Sequence, residues 1–194
     1  MRLVLASTST YRGALLERLG LPFETRAPGT DETALPGEPP ATLAARLAAA
    51  KARGASLPGK AELIIGSDQV AVLEGTVLGK PGSHAANKAQ LIAASGKTVI
   101  FHTAVCLLNT RERVERTEVV RYAVKFLDLS EAQIERYLAI EPAWDCAGGF
   151  KCEGLGISLF ESMSGADPTA LVGLPLIALT GLLRQQGLDP LGPA

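Results

Sequence analysis

Histidine and cysteine are scarce in this chain of 194 residues, which has two histidines and three cysteines. The cysteines, Cys106, Cys146 and Cys152, are odd in number and lack C-x-x-C spacing, so they predict neither a disulfide framework nor a cysteine zinc site. Two histidines are also too few for a histidine-rich metal centre. Free thiols favour a reducing compartment, and we expect a cytoplasmic protein.

The chain also lacks an excess of charge and a long apolar run. Lys and Arg number 19 against 20 Asp and Glu, and a net charge of −1 argues against a nucleic acid polymer as partner. The longest nearly apolar run, Thr169 to Leu183, has 15 residues and includes Gly173 and Pro175. A membrane-spanning helix needs about 20 residues, so we expect no membrane association. A local basic pocket for one phosphorylated small molecule remains compatible with this balance.

What the chain has is enough apolar sequence for one folded domain. Hydrophobic residues make up 47% and charged residues 20%, which excludes an intrinsically disordered chain. The length falls within the usual range of one domain, so we predict a single domain over residues 1–194.

Strand and helix patterns alternate early in the chain, and two long strand patterns form a ribbon in its middle. Leu3 to Ala6 reads as a strand leading into a helix, and the ribbon comprises Thr98 to Leu108 and Val114 to Phe126. Near the C-terminus we predict a strand at Ile157 to Phe160 and a helix from Pro175 to Gln186. These patterns predict an α/β fold with a mixed β-sheet and flanking helices. The ribbon could also pair between subunits, so we consider a homodimer.

The segment from Ser7 to Arg12 joins the first strand to the first helix. A helix N-terminus presents unpaired N–H groups that bind anions, and Ser7 and Ser9 add hydroxyl donors. Arg12, one turn into the helix, could reach phosphate oxygens with its guanidinium. A capped helix with a surface arginine explains the same residues without any ligand.

Acidic residues occur at two places where they could take part in catalysis or bind a metal. Asp68 follows the apolar strand Leu63 to Gly66, where a carboxylate is costly to bury unless it is paired or binds a metal. Ligands of open α/β sheets gather beyond the carboxyl ends of strands. Asp31 and Glu32 lie in a proline-rich loop and could hold a hydrated magnesium ion, although a solvated loop charge is the simpler explanation. Three of the seven lysines, Lys51, Lys80 and Lys151, could join Arg12 in binding a polyphosphate, although each alone is typical of a surface.

Taken in order, several short segments resemble those of the Maf family. They are Ala6 to Arg12, Asp31-Glu32, Ala50-Lys51, Gly66 to Gln69, Gly79 to Pro81, Ser95-Gly96, Cys146 to Gly154 and Leu171 to Leu176. The resemblance covers nearly the whole chain. It implies a nucleoside triphosphate pyrophosphatase that uses a divalent cation, Mg²⁺ or Mn²⁺, and releases a nucleoside monophosphate and pyrophosphate. It also implies two lobes around a central cleft, as in inosine triphosphate pyrophosphatases, and a cytoplasmic location.

The resemblance also assigns roles to residues of this sequence. Asp68 would act as general base or as a ligand of the metal that activates water, with Glu32 as a second metal ligand. Substrate binding falls to Ser7, Arg12, Lys51, Lys80 and Lys151. The motif often has a proline before its aromatic residue and a second basic residue after its arginine. Here Thr10 and Gly13 stand at those positions, so Arg12 is the only arginine of the motif.

Three residues resemble the branch of the family that hydrolyses 7-methyl-GTP, namely Tyr11, Gln69 and Glu153. The methylated guanine carries a positive charge, so an aromatic ring such as Tyr11 could stack on it with a gain of about 0.5–2 kcal/mol. Glu153 could accept from the guanine N1–H and N2–H groups, and Gln69 could read another edge. Two alternatives stay open. The chain could hydrolyse canonical or other modified nucleotides, as the dTTP/UTP type does, or it could be a nucleotide-binding regulator of septum formation without significant catalysis.

Overall fold

The computed structural model of this chain describes residues 1–192, and Pro193 and Ala194 lie outside the described residues. The predicted single domain over residues 1–194 therefore stays a prediction. The strands are β1 (Arg2–Ala6), β2 (Phe23–Thr25), β3 (Glu62–Leu73), β4 (Thr76–Leu78), β5 (Thr98–Asn109), β6 (Val114–Phe126) and β7 (Phe160–Gly165). The helices are α1 (Thr10–Glu17), α2 (Pro40–Gly54), α3 (His84–Ala94), α4 (Glu131–Ile140), α5 (Thr169–Val172) and α6 (Leu176–Gln185), with a 3₁₀ helix at Leu155–Leu159. Within residues 1–192 no helix has the length and apolar character needed to cross a membrane.

All seven strands of the described chain belong to one mixed sheet, which confirms the predicted fold class. The strand order is β2-β1-β3-β5-β6-β7, and β4 pairs with β3. β1 runs parallel to β2 and β3, while the other pairs are antiparallel. β1 pairs with β3 only as far as Gly66, and β4 pairs with it only from Ala71 onward. The edge of β3 from Ser67 to Val70 therefore has no neighbouring strand on that side, and this gap positions the site.

The core comprises three apolar clusters, two on one side of that gap and one on the other. One cluster packs α2 on one face of β1 and β3, and a second packs α1 and α6 on the opposite face. The third cluster packs α3 and α4 against β5 and β6. The first two clusters form one lobe and the third forms another. Residues of both lobes line the cleft between them, as predicted.

Two predicted strands differ from those observed. β3 continues without a break through Asp68, which lies inside the strand and not after it, because β5 pairs with β3 all the way from Leu63 to Leu73. The strand predicted at Ile157 to Phe160 is wrong, since the 3₁₀ helix occupies most of that segment. The real strand β7 is polar and exposed at the sheet edge, so its sequence lacks an apolar signal.

Candidate active site

A cleft of about 630 Å³ opens at the gap in the edge of β3. Nine of the ten residues to which the family resemblance assigns a role line it: Ser7, Tyr11, Arg12, Glu32, Lys51, Asp68, Gln69, Lys80 and Glu153. The tenth, Lys151, is not among the lining residues but lies close enough to the Tyr11 hydroxyl to interact with it. The fold thus gathers side chains from distant parts of the chain around one cavity.

The centre of the cleft is a lysine held between two carboxylates. Lys51 Nζ lies 2.7 Å from Glu32 Oε1 and 2.7 Å from Asp68 Oδ1. Lys51 and Asp68 are only 5% and 6% exposed, whereas Glu32 is exposed. From the sequence, Lys51 was predicted to bind the phosphates of the substrate. In this structure it neutralises the two carboxylates that were predicted to hold a metal.

Helix α2 reaches this position because it packs unusually close to β3 at Gly66. A Cβ atom at Gly66 would lie 2.0 Å from the carbonyl oxygen of Ala48 and 2.6 Å from the amide nitrogen of Ala52. Only glycine permits this approach. The close packing places Lys51 of α2 directly over Asp68 of β3.

Asp68 has an altered proton affinity. Burial raises the pKa of Asp68, and the nearby Lys51 and Arg12 only partly oppose this, so the net pKa lies above the ordinary value. Carboxylates with an altered pKa that face a cleft are typical of functional sites. Asp68 can therefore accept a proton or coordinate a cation at this position.

The turn before α1 provides donors for an anion. Ser7 Oγ accepts from the Ser9 amide at 3.1 Å, and Ser9 Oγ accepts from the Arg12 amide at 3.4 Å. Within residues 1–192, the amide N–H groups of Thr10 and Tyr11 have no acceptor. Both residues line the cleft, where free amides at a helix N-terminus favour phosphate oxygens.

Arg12 is held by a backbone carbonyl. Its Nε atom donates to the Gly173 carbonyl oxygen at 2.8 Å. In the described chain no carboxylate forms a salt bridge with Arg12, so its two terminal nitrogens remain available to a ligand. Burial lowers the pKa of Arg12, but a guanidinium stays protonated at any ordinary pH. Lys80 is exposed on the cleft wall and likewise has no salt bridge among the described residues.

Gln69 projects from the face of β3 opposite to Asp68 and is fixed by three acceptors. Its Nε2 atom donates to Ala170 O at 2.8 Å, to Leu171 O at 3.0 Å and to Thr103 Oγ1 at 3.1 Å. These contacts set the orientation of the amide group, because its nitrogen must face all three oxygens. The Gln69 carbonyl oxygen is left as an acceptor for a ligand.

The other end of the cleft combines aromatic and acidic side chains. Phe101 and Phe150 contact each other edge to face, with ring centroids 5.6 Å apart, and both line the cleft. Glu153 is exposed, and Cys152 Sγ donates to its Oε2 atom at 3.2 Å. Burial raises the pKa of the Tyr11 hydroxyl. This end therefore offers aromatic surface together with carboxylate acceptors.

Comparison with known proteins identifies the family. A family model described as "Maf-like protein" matches residues 2–186. The chain belongs to the Maf family. Among its Maf relatives are three proteins each named "7-methyl-GTP pyrophosphatase". The protein of Xanthomonas axonopodis pv. citri (strain 306) is 55% identical over 188 residues, covering 97% of this chain and 98% of the relative.

The two other relatives are similarly close over their full lengths. That of Aromatoleum aromaticum is 56% identical over 187 residues, covering 96% of each chain. That of Bordetella avium is 52% identical over 190 residues, covering 98% of this Maf protein and 95% of the relative. The resemblance seen in the sequence is therefore confirmed.

The residues of this Maf cleft fit a divalent cation. Glu32 and Asp68 each pair one oxygen with Lys51 Nζ at 2.7 Å, so the two carboxylates lie side by side, and the second oxygen of each has no hydrogen-bond partner among residues 1–192. Among residues 1–192 no three His, Cys, Asp or Glu side chains come together as a metal-binding group. Two carboxylates suit Mg²⁺, which usually completes its coordination with waters and substrate phosphates.

Several residues that shape the site did not emerge from the sequence. Phe150 lies in the Cys146 to Gly154 segment but received no role, and Phe101 and Thr103 were not singled out within their apolar strand pattern. The carbonyl oxygens that hold Gln69 and Arg12 belong to the segment around α5. Every residue has a backbone carbonyl, so the sequence does not show which carbonyls face the site. Gly173 is the one local signal, because its φ of 121° is a conformation that favours glycine.

Proposed function

We propose that this Maf protein is a nucleoside triphosphate pyrophosphatase that hydrolyses 7-methyl-GTP to 7-methyl-GMP and pyrophosphate. The relatives named above carry that activity in their names. The observation that supports it best is the single cleft in which Tyr11, Gln69 and Glu153 accompany Asp68 and Arg12. One cavity thus offers groups for a base, a triphosphate and a water molecule.

The base end suits a positively charged purine. The N7-methylated guanine is cationic and has donors at N1–H and N2–H. Glu153 and the free Gln69 oxygen are acceptors, and a carboxylate can receive two adjacent donors. Tyr11 can stack on the cationic ring for about 0.5–2 kcal/mol. An uncharged pyrimidine lacks the positive charge, so we expect it to bind these groups more weakly.

The phosphate end suits a polyanion. Arg12 and Lys80 have no carboxylate partner in the described chain, and the first amides of α1 are free. Ser7 Oγ accepts the Ser9 amide, so its own hydroxyl proton remains available to donate. Lys151, at the rim near Tyr11, can add a further charge. These donors would stabilise the negative charge that builds up on the leaving pyrophosphate.

The chemical step requires a water molecule at the α-phosphorus. Its oxygen forms the new bond to phosphorus as the bond from the α-phosphorus to the bridging oxygen breaks, and pyrophosphate leaves with that oxygen. Asp68 would take the proton of the water as general base or coordinate a metal with Glu32. A divalent cation, Mg²⁺ or Mn²⁺, would lower the pKa of bound water and withdraw charge from the phosphate oxygens.

The activity is tested by incubating the purified protein with 7-methyl-GTP and Mg²⁺ in heavy-oxygen water. We expect pyrophosphate and 7-methyl-GMP, with the label on the monophosphate, because water attacks the α-phosphorus. Label in pyrophosphate or inorganic phosphate would contradict this route. Binding of the nucleotide without any release of pyrophosphate would instead favour the regulator without catalysis.

Removal of divalent cations should abolish turnover. We expect chelation to reduce pyrophosphate release to background, because without the cation the attacking water is not activated and the negative charge of the phosphate oxygens, which repels it, is not withdrawn. Adding Mg²⁺ or Mn²⁺ in excess of the chelator should restore the rate. Turnover that persists in chelator would rule out the metal.

Glu153→Gln should weaken base selection while sparing the phosphate chemistry. A glutamine cannot accept two adjacent N–H donors, so we expect the preference for 7-methyl-GTP over UTP in kcat/KM to fall about tenfold. Glu161→Gln is the matched control, since Glu161 is an exposed acid on β7 that does not line the cleft. An unchanged substrate ranking in Glu153→Gln would remove Glu153 from base recognition.

The cytoplasmic location and the homodimer stay predictions. Light scattering of the purified protein would decide the second of them directly.

A further inference from the structure

We propose that Thr103 and Asp167 are positioning residues that aim Gln69 and Arg12 into the cleft by fixing the backbone of residues 167–173. We call these residues the α5 segment. The inference rests on the proposed function, because it explains how base selection and phosphate binding are held in one geometry. Neither Thr103 nor Asp167 lines the cleft.

The α5 segment offers its carbonyl oxygens to both ends of the cleft. Ala170 O accepts from Gln69 Nε2 at 2.8 Å and from Thr103 Oγ1 at 2.8 Å. Gly173 O accepts from Arg12 Nε at 2.8 Å. One short piece of backbone therefore orients a side chain of the base end and a side chain of the phosphate end.

Asp167 fixes this segment to α6. The Asp167 carboxylate is 2% exposed and accepts from Thr169 N at 3.0 Å, Thr169 Oγ1 at 2.6 Å and Ile177 N at 2.7 Å. Thr169 Oγ1 in turn accepts from Leu176 N at 2.8 Å. The first turn of α6 is thus capped by the α5 segment, which leaves the segment little freedom to move.

The anchor is rigid because α6 is part of the core. Leu176, Leu179 and Leu183 pack in the same apolar cluster as Leu15 and Leu16 of α1, the helix that carries Arg12. The Gly173 carbonyl therefore has a fixed position relative to Arg12. With Nε bound there, the remaining guanidinium nitrogens keep one orientation, which a forked contact with phosphate requires.

Thr103 has the corresponding task at the base end. Its hydroxyl donates to Ala170 O and accepts from Gln69 Nε2 at 3.1 Å. A hydroxyl that does both links Gln69 to the α5 segment. Without it, Ala170 O loses one of its two donors and the Gln69 amide keeps only its two carbonyl acceptors. The Gln69 side chain is then held less firmly, and its oxygen is aimed less well at the base.

The test compares kcat and KM for 7-methyl-GTP and for UTP in the wild type and in four variants. Thr103→Val removes the hydroxyl at constant shape, and Thr103→Ser keeps the hydroxyl while it loses the methyl group. Asp167→Asn removes one acceptor from the cap of α6. Thr180→Val is the control, because it removes a hydrogen bond within α6, at 2.9 Å to Ile177 O, that does not touch the α5 segment.

We expect Thr103→Val to lower the preference for 7-methyl-GTP about three- to tenfold with little change in kcat, and Thr103→Ser to keep the wild-type preference. Asp167→Asn should lower this preference as well, and it should raise KM for both nucleotides about tenfold, because Arg12 loses its alignment. Thr180→Val should match the wild type.

Two results would overturn the inference. One is a wild-type preference in Thr103→Val, and the other is an equal loss in Thr103→Ser, which would indicate packing and not the hydroxyl. If Asp167→Asn does not fold, the Thr103 pair alone decides. A wild type that releases no pyrophosphate would instead contradict the proposed function.

Discussion

Asp68→Asn is expected to lower kcat for 7-methyl-GTP by about 10²–10⁴-fold while the protein remains folded. Asparagine keeps the shape of the side chain, but it can neither take a proton from water nor carry the charge that a cation requires. Asp68 is buried against Lys51, and Lys51 retains its contact with Glu32 in the variant. Steady-state kinetics with circular dichroism on the same samples would measure both effects.

A matched control for Asp68→Asn lies on the adjoining turn. Glu74 follows β3 directly and pairs with Lys97 at 2.8 Å, outside the cleft. Glu74→Gln should therefore keep wild-type kcat. Asp68→Asn with near wild-type activity would remove Asp68 from the mechanism, whichever of its two proposed tasks is considered.

Lys51→Met should cause the largest loss of stability that we expect from a cleft substitution. The variant leaves the buried carboxylate of Asp68 without its cation, and breaking a buried pair in this way costs about 3–5 kcal/mol. Urea unfolding in chelator at about pH 7 would measure the change in the free energy of unfolding. Turnover should fall as well, because Lys51 lies at the centre of the site.

The stability deficit of Lys51→Met should depend on pH in one direction. Burial raises the pKa of Asp68 and Lys51 opposes this, so the pKa of Asp68 in the folded variant lies still further above its unfolded value of about 3.9. The ionised carboxylate then disfavours folding at pH above its folded pKa. Since both states are protonated below about pH 4, the deficit should shrink as the pH falls toward that value.

Lys97→Met is the control for this series, because it removes an exposed lysine paired with Glu74. Exposed pairs contribute about 0–1 kcal/mol, so a small change without the same pH dependence is expected. Equal stability of Lys51→Met and the wild type would contradict the account of the buried pair. So would a deficit that is as large near pH 4 as at neutral pH.

Some helix ends are fixed by local chemistry that the sequence itself displays. The Ser130 and Gln133 capping box that begins α4 is present on both sides, with Ser130 Oγ accepting from the Gln133 amide and the Ser130 amide donating to Gln133 Oε1. Ser83 caps α3, since its Oγ atom accepts from the Ala86 amide at 3.3 Å. Such caps involve residues three positions apart and can be read directly from sequence.

Contacts between distant segments could not be read in the same way. Asp68 was predicted to follow a strand, but pairing with β5 continues the strand through it. The ion pairs of Lys51 join residues 19 and 17 positions apart through the packing at Gly66, and the Gln69 contacts reach across about 100 residues to carbonyl groups. The family resemblance could indicate which residues gather in the cleft, but not what each of them contacts.

The central claim is that this cleft selects a methylated guanine triphosphate. The most direct measurement is an internal competition, in which equal amounts of 7-methyl-GTP, GTP, dTTP, UTP and CTP share one reaction with Mg²⁺. Chromatography of the nucleotides over time gives the ratios of kcat/KM. The account predicts that 7-methyl-GTP is consumed first, with 7-methyl-GMP and pyrophosphate formed in equal amounts. Consumption led by dTTP or UTP, or equal consumption of all five, would contradict it.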